Sequence, residues 1–142
     1  MDTVATILSR KNLTPVTVSP DTTVIEALKI MAEKNIGSLL IMNGDQYSGI
    51  ITERDYSRKI VLKGKSSTDT LVSEIMTTDL PSVKPNDAVE HCMQLMTDKN
   101  IRYLPVFDNE KLVGIISMSD VVRQTIHSQK QTIDHLQTYI SS

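Results

Sequence analysis

Offset by 65 positions, the chain aligns with itself: residues 18–58 match residues 83–123 without a gap, and 13 of the 41 pairs are identical. The identities include Pro20 and Pro85, Val24 and Val89, Met31 and Met96, and the Lys-Asn-Ile of 34–36 and of 99–101. They continue through Leu39 and Leu104 and through Gly-Ile-Ile at 49–51 and 114–116, and end on Asp55 and Asp120, Arg58 and Arg123. A duplication of this length constrains the fold before any finer reading, because each copy must form the same supersecondary unit. Two copies, unlike the many of a solenoid, imply halves related by a pseudo-twofold axis. At 142 residues the chain suits one compact domain, or two small halves sharing a core, that buries most of its apolar surface without disulfide staples.

Within each copy the apolar periods predict a strand, a helix, two strands joined by a hairpin, and a second helix. A short extended segment ends at Pro20 or Pro85, and Asp21 to Thr23 and Asn86 to Asp87 are predicted to supply capping side chains to the helix that follows. Val24, Leu28 and Met31, like Val89, Met93 and Met96, recur at spacings of 4 and 3, one apolar stripe per helix. The runs SLLIM and YLPVF then read as strands, turned by Asn43-Gly44-Asp45 and Asp108-Asn109-Glu110 into the returning strands YSGIIT and LVGIIS. Runs with so little alternation predict strands covered on both faces or nearly so.

Residues 63–79, KGKSSTDTLVSEIMTTD, are the polar, turn-rich stretch between the copies and read as a linker, with VSEIM as one helical turn. Val4, Ile7 and Leu8 predict a short amphipathic helix docking on the core. After the second copy the last helix continues: Val122, Ile126, Gln129, Ile133, Leu136 and Ile140 are spaced 4, 3, 4, 3, 4, a heptad-like seam with one polar break. It suits either packing back on its own domain or pairing between subunits.

Fifteen basic and seventeen acidic residues, a net charge of −2, give no clustered positive surface of the kind nucleic-acid binding relies on. The single Cys92 has no partner for an internal disulfide, and no apolar run is long enough to span a bilayer. The start, MDTVATILSRKN, lacks the charge order and apolar length of a secretory signal, so the expected location is the cytoplasm.

The doubled pattern of a proline-ended segment, a helix, Asn-Ile, a strand and Gly-Ile-Ile-Thr/Ser-x-x-Asp resembles a tandem pair of cystathionine-β-synthase (CBS) domains, the Bateman module, over about residues 13–125. The stretch ITERDYSRKIVLKGKSS with the following SEIM is similar to small free-standing bacterial CBS-pair proteins. The resemblance implies an α/β (α+β) fold of two pseudo-twofold-related β-α-β-β-α repeats, each a small sheet packed on two helices. On that pattern the chain divides into a lead-in helix (1–12), CBS repeat 1 (13–62), a linker (63–79), CBS repeat 2 (80–125) and a helical extension (126–142). It also implies a non-catalytic sensor, a homodimer, that binds AMP, ADP, ATP, NAD(H) or S-adenosylmethionine in clefts between the repeats. No catalytic cofactor, metal, nucleic acid or membrane is expected, and the protein it would regulate is unidentified.

The motif chemistry fits. A carboxylate where a strand passes into a helix can accept charge-assisted hydrogen bonds from the 2′ and 3′ hydroxyls of a ribose, each worth roughly 1.5–3 kcal/mol. By resemblance one cleft takes Thr52, Arg54 and Asp55, with Gly37 and Ser38, and from the second repeat the backbone of Leu80 and Pro81 and the side chain of Ile101. The other takes Ser117, Ser119 and Asp120, with Arg102 and Tyr103, and from the first repeat Thr14, Val16 and Ile36. Arg54 and Arg102 are the phosphate candidates, since a guanidinium offers a planar fork to phosphate oxygens. Arg54 aligns with Ser119, and Arg102-Tyr103 with Gly37-Ser38, so the two sites are expected to differ.

Plainer roles compete with these. An Asp at a helix start is an N-cap candidate, and Arg58 and Arg123 read as structural. The Gly64-Lys65-Ser66 run lacks the first glycine of a phosphate loop, Lys59 standing there instead. His91, His127 and His135 have no metal-site spacing and read as surface residues; Cys92, aligned with Ala27, reads as a buried thiol, and Met31, Met93 and Met96 as core. A nucleotide hydrolase lacks a positioned general base, and a scaffold with vestigial pockets would not need both Asp motifs.

Overall fold

The computed structural model describes residues 2–11 and 14–141. In chain order the elements are α1 (Val4–Lys11), β1 (Thr17–Val18), α2 (Val24–Lys34), β2 (Ser38–Asn43), β3 (Gln46–Thr52), α3 (Glu53–Tyr56) and α4 (Val72–Ile75). They continue with α5 (Val89–Lys99), β4 (Tyr103–Asp108), β5 (Lys111–Ser117) and α6 (Met118–Ser141). Two compact units result: Thr14–Asp79, and the start of the chain joined to residues from Leu80 onward. Each unit therefore contains one copy of the repeat plus the helix that precedes the other copy, α4 with the first and α1 with the second.

In the first unit β1 runs parallel to β2 (Val18 opposite Ile41) and β2 pairs antiparallel with β3, from Ser38 opposite Thr52 to Asn43 opposite Gln46. The second unit repeats the hairpin position for position, Tyr103 opposite Ser117 through Asp108 opposite Lys111, with a register slip between Val106 and Phe107 that matches the one between Ile41 and Met42. Its first strand is reduced to a single parallel bridge, Val83 to Val106. In the first unit Val24, Ala27, Met31, Leu39, Ile41 and Ile51 close a core with Val72 and Ile75 of α4. Leu40 and Ile50, on the opposite face of the sheet, are also buried, so both faces are covered as the unalternating run predicts. The second core is built alike from Val89, Cys92, Met96, Leu104, Val106 and Ile116, closed by Val4 and Ile7 of α1.

Local chemistry explains several of the identities. Asn35 and Asn100 both end their helices at φ 54°, a left-handed conformation asparagine tolerates, and the next amides, Ile36 and Ile101, donate back to the carbonyls of Met31 and Met96 at 3.0 Å. The capping expectation holds only in part. Thr23 caps α2 through the Glu26 N–H, but Ala88 occupies the equivalent place before α5, and the Asp87 carboxylate instead accepts from the Lys84 N–H in the preceding turn. The first amides of both helices are met by backbone: Val24 N–H donates to the Thr70 carbonyl and Val89 N–H to that of Asp2, while Val72 and Val4 donate back to Thr22 and Asp87. The apolar stripe also shifts. Val24, Ala27 and Met31 face one core and Val89, Cys92 and Met96 the other; Met93 is 37% exposed and is not a core residue.

The copies part company after their aspartates. In the first, α3 passes into a π-helical turn, Ser57–Val61, and stops at Leu62; in the second, α6 runs for 24 residues. Val121 and Gln124 of α6 are buried, whereas its heptad positions from Val122 on stay exposed. No helix among the described residues is long and apolar enough to cross a membrane.

Candidate functional site

Each aspartate sits in the turn where a returning strand becomes a helix. The turn is held by bonds that the sequence spacing requires. Asp55 N–H donates to Thr52 Oγ1 at 3.1 Å and Thr52 N–H returns to Asp55 Oδ2 at 3.0 Å, a reciprocal capping box. Asp120 N–H donates to Ser117 Oγ at 3.1 Å and Ser117 N–H to Asp120 Oδ2 at 2.8 Å. The helix starts are anchored to the preceding loops in the same way, Glu53 N–H on the Gly37 carbonyl and Met118 N–H on that of Arg102. Both carboxylates are nearly enclosed, Asp55 5% and Asp120 8% exposed.

Their remaining partners differ. Asp55 Oδ2 also accepts the Thr52 hydroxyl at 3.0 Å, and Oδ1 accepts Thr77 Oγ1 at 2.8 Å and Lys59 Nζ at 2.9 Å. A carboxylate has about four acceptor positions, so those of Asp55 are filled. Asp120 Oδ2 accepts Lys11 Nζ at 2.9 Å, while Oδ1 lies 3.5 Å from Nη1 of the exposed Arg123, a long contact. Lys11 also donates to the Ile115 carbonyl at 3.0 Å, taking the place of the backbone pairing that Thr77 makes with Ile50 in the first unit. Lys59 likewise bridges, from Asp55 to the Ile75 carbonyl at 2.8 Å.

The glycines of the motif admit these segments. A Cβ on Gly49 would lie 2.9 Å from the Thr77 carbonyl oxygen and 3.0 Å from Met76 Sδ, and one on Gly114 would lie 2.9 Å from Leu8 Cδ2. The close neighbours belong to the same unit, the residues just after α4 in the first and Leu8 of α1 in the second.

The structure brings Thr52, Arg54, Asp55, Gly37 and Ser38 together in the first unit, Ser38 opposite Thr52 in the hairpin and Arg54 half-buried on α3. In the second it gathers Ser117, Ser119, Asp120, Arg102 and Tyr103, with Tyr103 opposite Ser117 and Arg102 and Ser119 exposed. Of the residues expected from the opposite repeat, Pro81 and Ile101 lie in the second unit and Thr14, Val16 and Ile36 in the first; Val16, Ile36 and Ile101 each pack on their own core. Sequence reasoning missed Lys59, Thr77 and Lys11. Lys59 was recoverable from its place one helical turn after Asp55; the other two lie in flanking segments outside the 65-residue offset.

Cys92 is fully buried, and burial, with Asp87 nearby, pushes its thiol up to about 11, as befits a packing residue. His91 and His135 are exposed, but Nε2 of His127 is buried, which corrects its reading as a surface residue. Among the described residues, no three His, Cys, Asp or Glu side chains are grouped to hold a metal.

Comparison with known proteins places this geometry. The family model described as "CBS domain" matches residues 4–62 and 72–126, so each match begins at the helix preceding the copy. The mitochondrial CBS domain-containing protein CBSX3 of Arabidopsis thaliana is 43% identical over 125 residues, 84% of this chain, and the chain spans 61% of that relative's length. A solved protein with CBS domains from Burkholderia ambifaria MC40-6 is 46% identical with a TM-score of 0.85, the match covering 90% of this chain and 96% of that one. The CBS domain pair of protein MJ0100, solved in complex with 5′-methylthioadenosine and S-adenosyl-L-methionine, is 29% identical with a TM-score of 0.75, covering 87% of this chain and 99% of that one.

Proposed function

The chain belongs to the CBS-domain family and carries the domain twice, a regulatory Bateman module, and from that premise we propose that it is a non-catalytic sensor of adenosine-containing ligands. AMP, ADP, ATP, NAD(H) and S-adenosylmethionine are the candidate ligands, and the sensor acts as a cytoplasmic homodimer upon a partner protein. One observation carries the reading: Asp120 is held by its own turn in the strand-to-helix position, with Oδ1 engaged by the exposed Arg123 at a long 3.5 Å. A ribose diol can take that oxygen while Lys11 and the Ser117 N–H keep the other. Arg102, whose carbonyl anchors the start of the same turn, offers its guanidinium as a hydrogen-bond donor to a phosphate. The complex of the MJ0100 pair with two adenosyl compounds supports the ligand class. Binding would shift the protein between states only by its differential affinity for them, which is how such a module signals.

The test is a thermal-shift panel of AMP, ADP, ATP, NAD, NADH and S-adenosylmethionine, followed by calorimetric titration of any compound that stabilises. A ligand at a hundred times its Kd stabilises the fold by about 2.7 kcal/mol. At least one member of the panel is expected to raise Tm without being consumed. Silence across the panel would overturn the sensor reading, and turnover of a nucleotide would replace it with an enzyme.

A further inference from the structure

We infer that the exposed seam of α6 is a parallel, in-register docking surface for α6 of a second copy, with Lys130 of the partner subunit seated at the acidic groove beside it. The inference deepens the homodimer of the proposed function and rests on it. Five seam residues, Val122, Ile126, Ile133, Leu136 and Ile140, are 46–80% exposed, far more apolar side chain than one helix face leaves in water without a partner. Their spacing makes Ile126, Ile133 and Ile140 the a positions of a heptad and Val122, Gln129 and Leu136 the d positions. β-branched Ile126, Ile133 and Ile140 at a suit a two-stranded pair, with Val122 and Leu136 at d on either side of one polar layer, Gln129.

Charge selects the occupant and its direction. The flanking e positions are Arg123, Lys130 and Gln137 and the g positions Thr125, Thr132 and Tyr139. In a parallel pair Thr125 faces Lys130 of the partner subunit and no like charges meet; an antiparallel pair centred on the seam sets Lys130 against Lys130 of the partner subunit. A groove of about 540 Å³ runs along the g side, its walls Thr125, Gln129, Thr132 and Ile133 of α6, with Val89 and the carboxylates of Asp2 and Glu90 opposite. Among the described residues that line it none is basic. A partner ammonium opposite Thr125 arrives beside those two carboxylates, so charge is matched across the pair as well as apolar surface.

Sedimentation of the full chain tests this directly. At micromolar concentration the wild type is expected to be a dimer and Ile133→Asp, at an exposed position, a folded monomer. Leu136→Cys in a Cys92→Ala background is expected to cross-link to itself on oxidation, which only a parallel, in-register pair allows. Lys130→Glu is expected to raise the dimer dissociation constant about tenfold, with Lys130→Glu/Glu90→Lys restoring it. A monomeric wild type, a dimer that survives Ile133→Asp, or a dimer without the Leu136→Cys cross-link would each overturn the seam. If Ile133→Asp remains dimeric yet still responds to an adenosyl ligand, the sensor stands and only the seam falls.

Discussion

The turns at Asp55 and Asp120 have one geometry and two chemistries. Around Asp55 the first unit supplies four donors, Thr52 twice, Thr77 and Lys59, and the carboxylate is full. Around Asp120 the Ser117 N–H and a lysine from α1 share one oxygen, the lysine also reaching the backbone carbonyl of Ile115, and the other oxygen has Arg123 at a long 3.5 Å. Duplication has kept the backbone of the turn, whose bonds run within four consecutive residues. It has not kept the countercharge, which in one copy comes from the following helix and in the other from a segment more than a hundred residues away in the chain. A conserved turn therefore does not imply an equally available carboxylate.

The largest effect that would sharpen this contrast is on binding. Asp120→Asn removes charge-assisted acceptance by the open oxygen and is expected to weaken the best adenosyl ligand about a hundredfold, whereas Asp55→Asn changes it less than threefold. Calorimetric titration of both variants decides, and equal losses would break the asymmetry. Stability is expected to rank the other way. Asp55→Ala strands the Thr52 amide, the Thr77 hydroxyl and Lys59 and should cost about 2–3 kcal/mol in urea unfolding; Asp120→Ala, which strands the Ser117 amide and Lys11 but no second hydroxyl, should cost about 1–2 kcal/mol. Melting each variant without ligand keeps this cost separate from the binding loss.

The glycines give a smaller contrast of the same kind. Gly49→Ala drives a methyl against the Thr77 carbonyl, part of a bridge to Ile50 that cannot yield without breaking, and is expected to cost about 2 kcal/mol. Gly114→Ala meets only the flexible end of Leu8 and should cost less than about 1 kcal/mol. Equal costs would show that α1 is held as rigidly as the α4 segment.

What was legible in the sequence follows the range of the interactions. The hairpins, the Asn-Ile helix ends and the two aspartate turns are local, and the doubled motif spelled them out. The flanking helices were harder because their offset is 68, not 65: Val4, Ile7 and Leu8 of α1 correspond to Val72, Ile75 and Met76. A gapless comparison leaves that match outside its window, so residues 63–79 read as a linker although Val72 and Ile75 close a core. Met93 was misplaced for a different reason, since spacings of 3 and 4 both fit a helical stripe and the partner face, supplied by the sheet and α1, chose Cys92.

The hairpin tips carry the smallest contrast. Both loops turn in two residues, but the first places Gly44 at φ 63° while the second holds Asn109 at 50° and Glu110 at 69°. Asparagine visits the left-handed region at little cost; a glutamate there is strained by about 1–2 kcal/mol, and a glycine in its place gives back roughly 0.5–1 kcal/mol in unfolded-chain entropy. Strain relief exceeds that loss, so Glu110→Gly is expected to stabilise the protein by about 0.5 kcal/mol in urea unfolding. Gly44→Ala is the mirror experiment. An added methyl meets nothing within 4 Å, so only the backbone term remains, and a loss of about 0.5–1 kcal/mol is expected. A destabilised Glu110→Gly would mean that the glutamate makes a compensating interaction at the tip, and the two hairpins would then differ in more than their backbone preference.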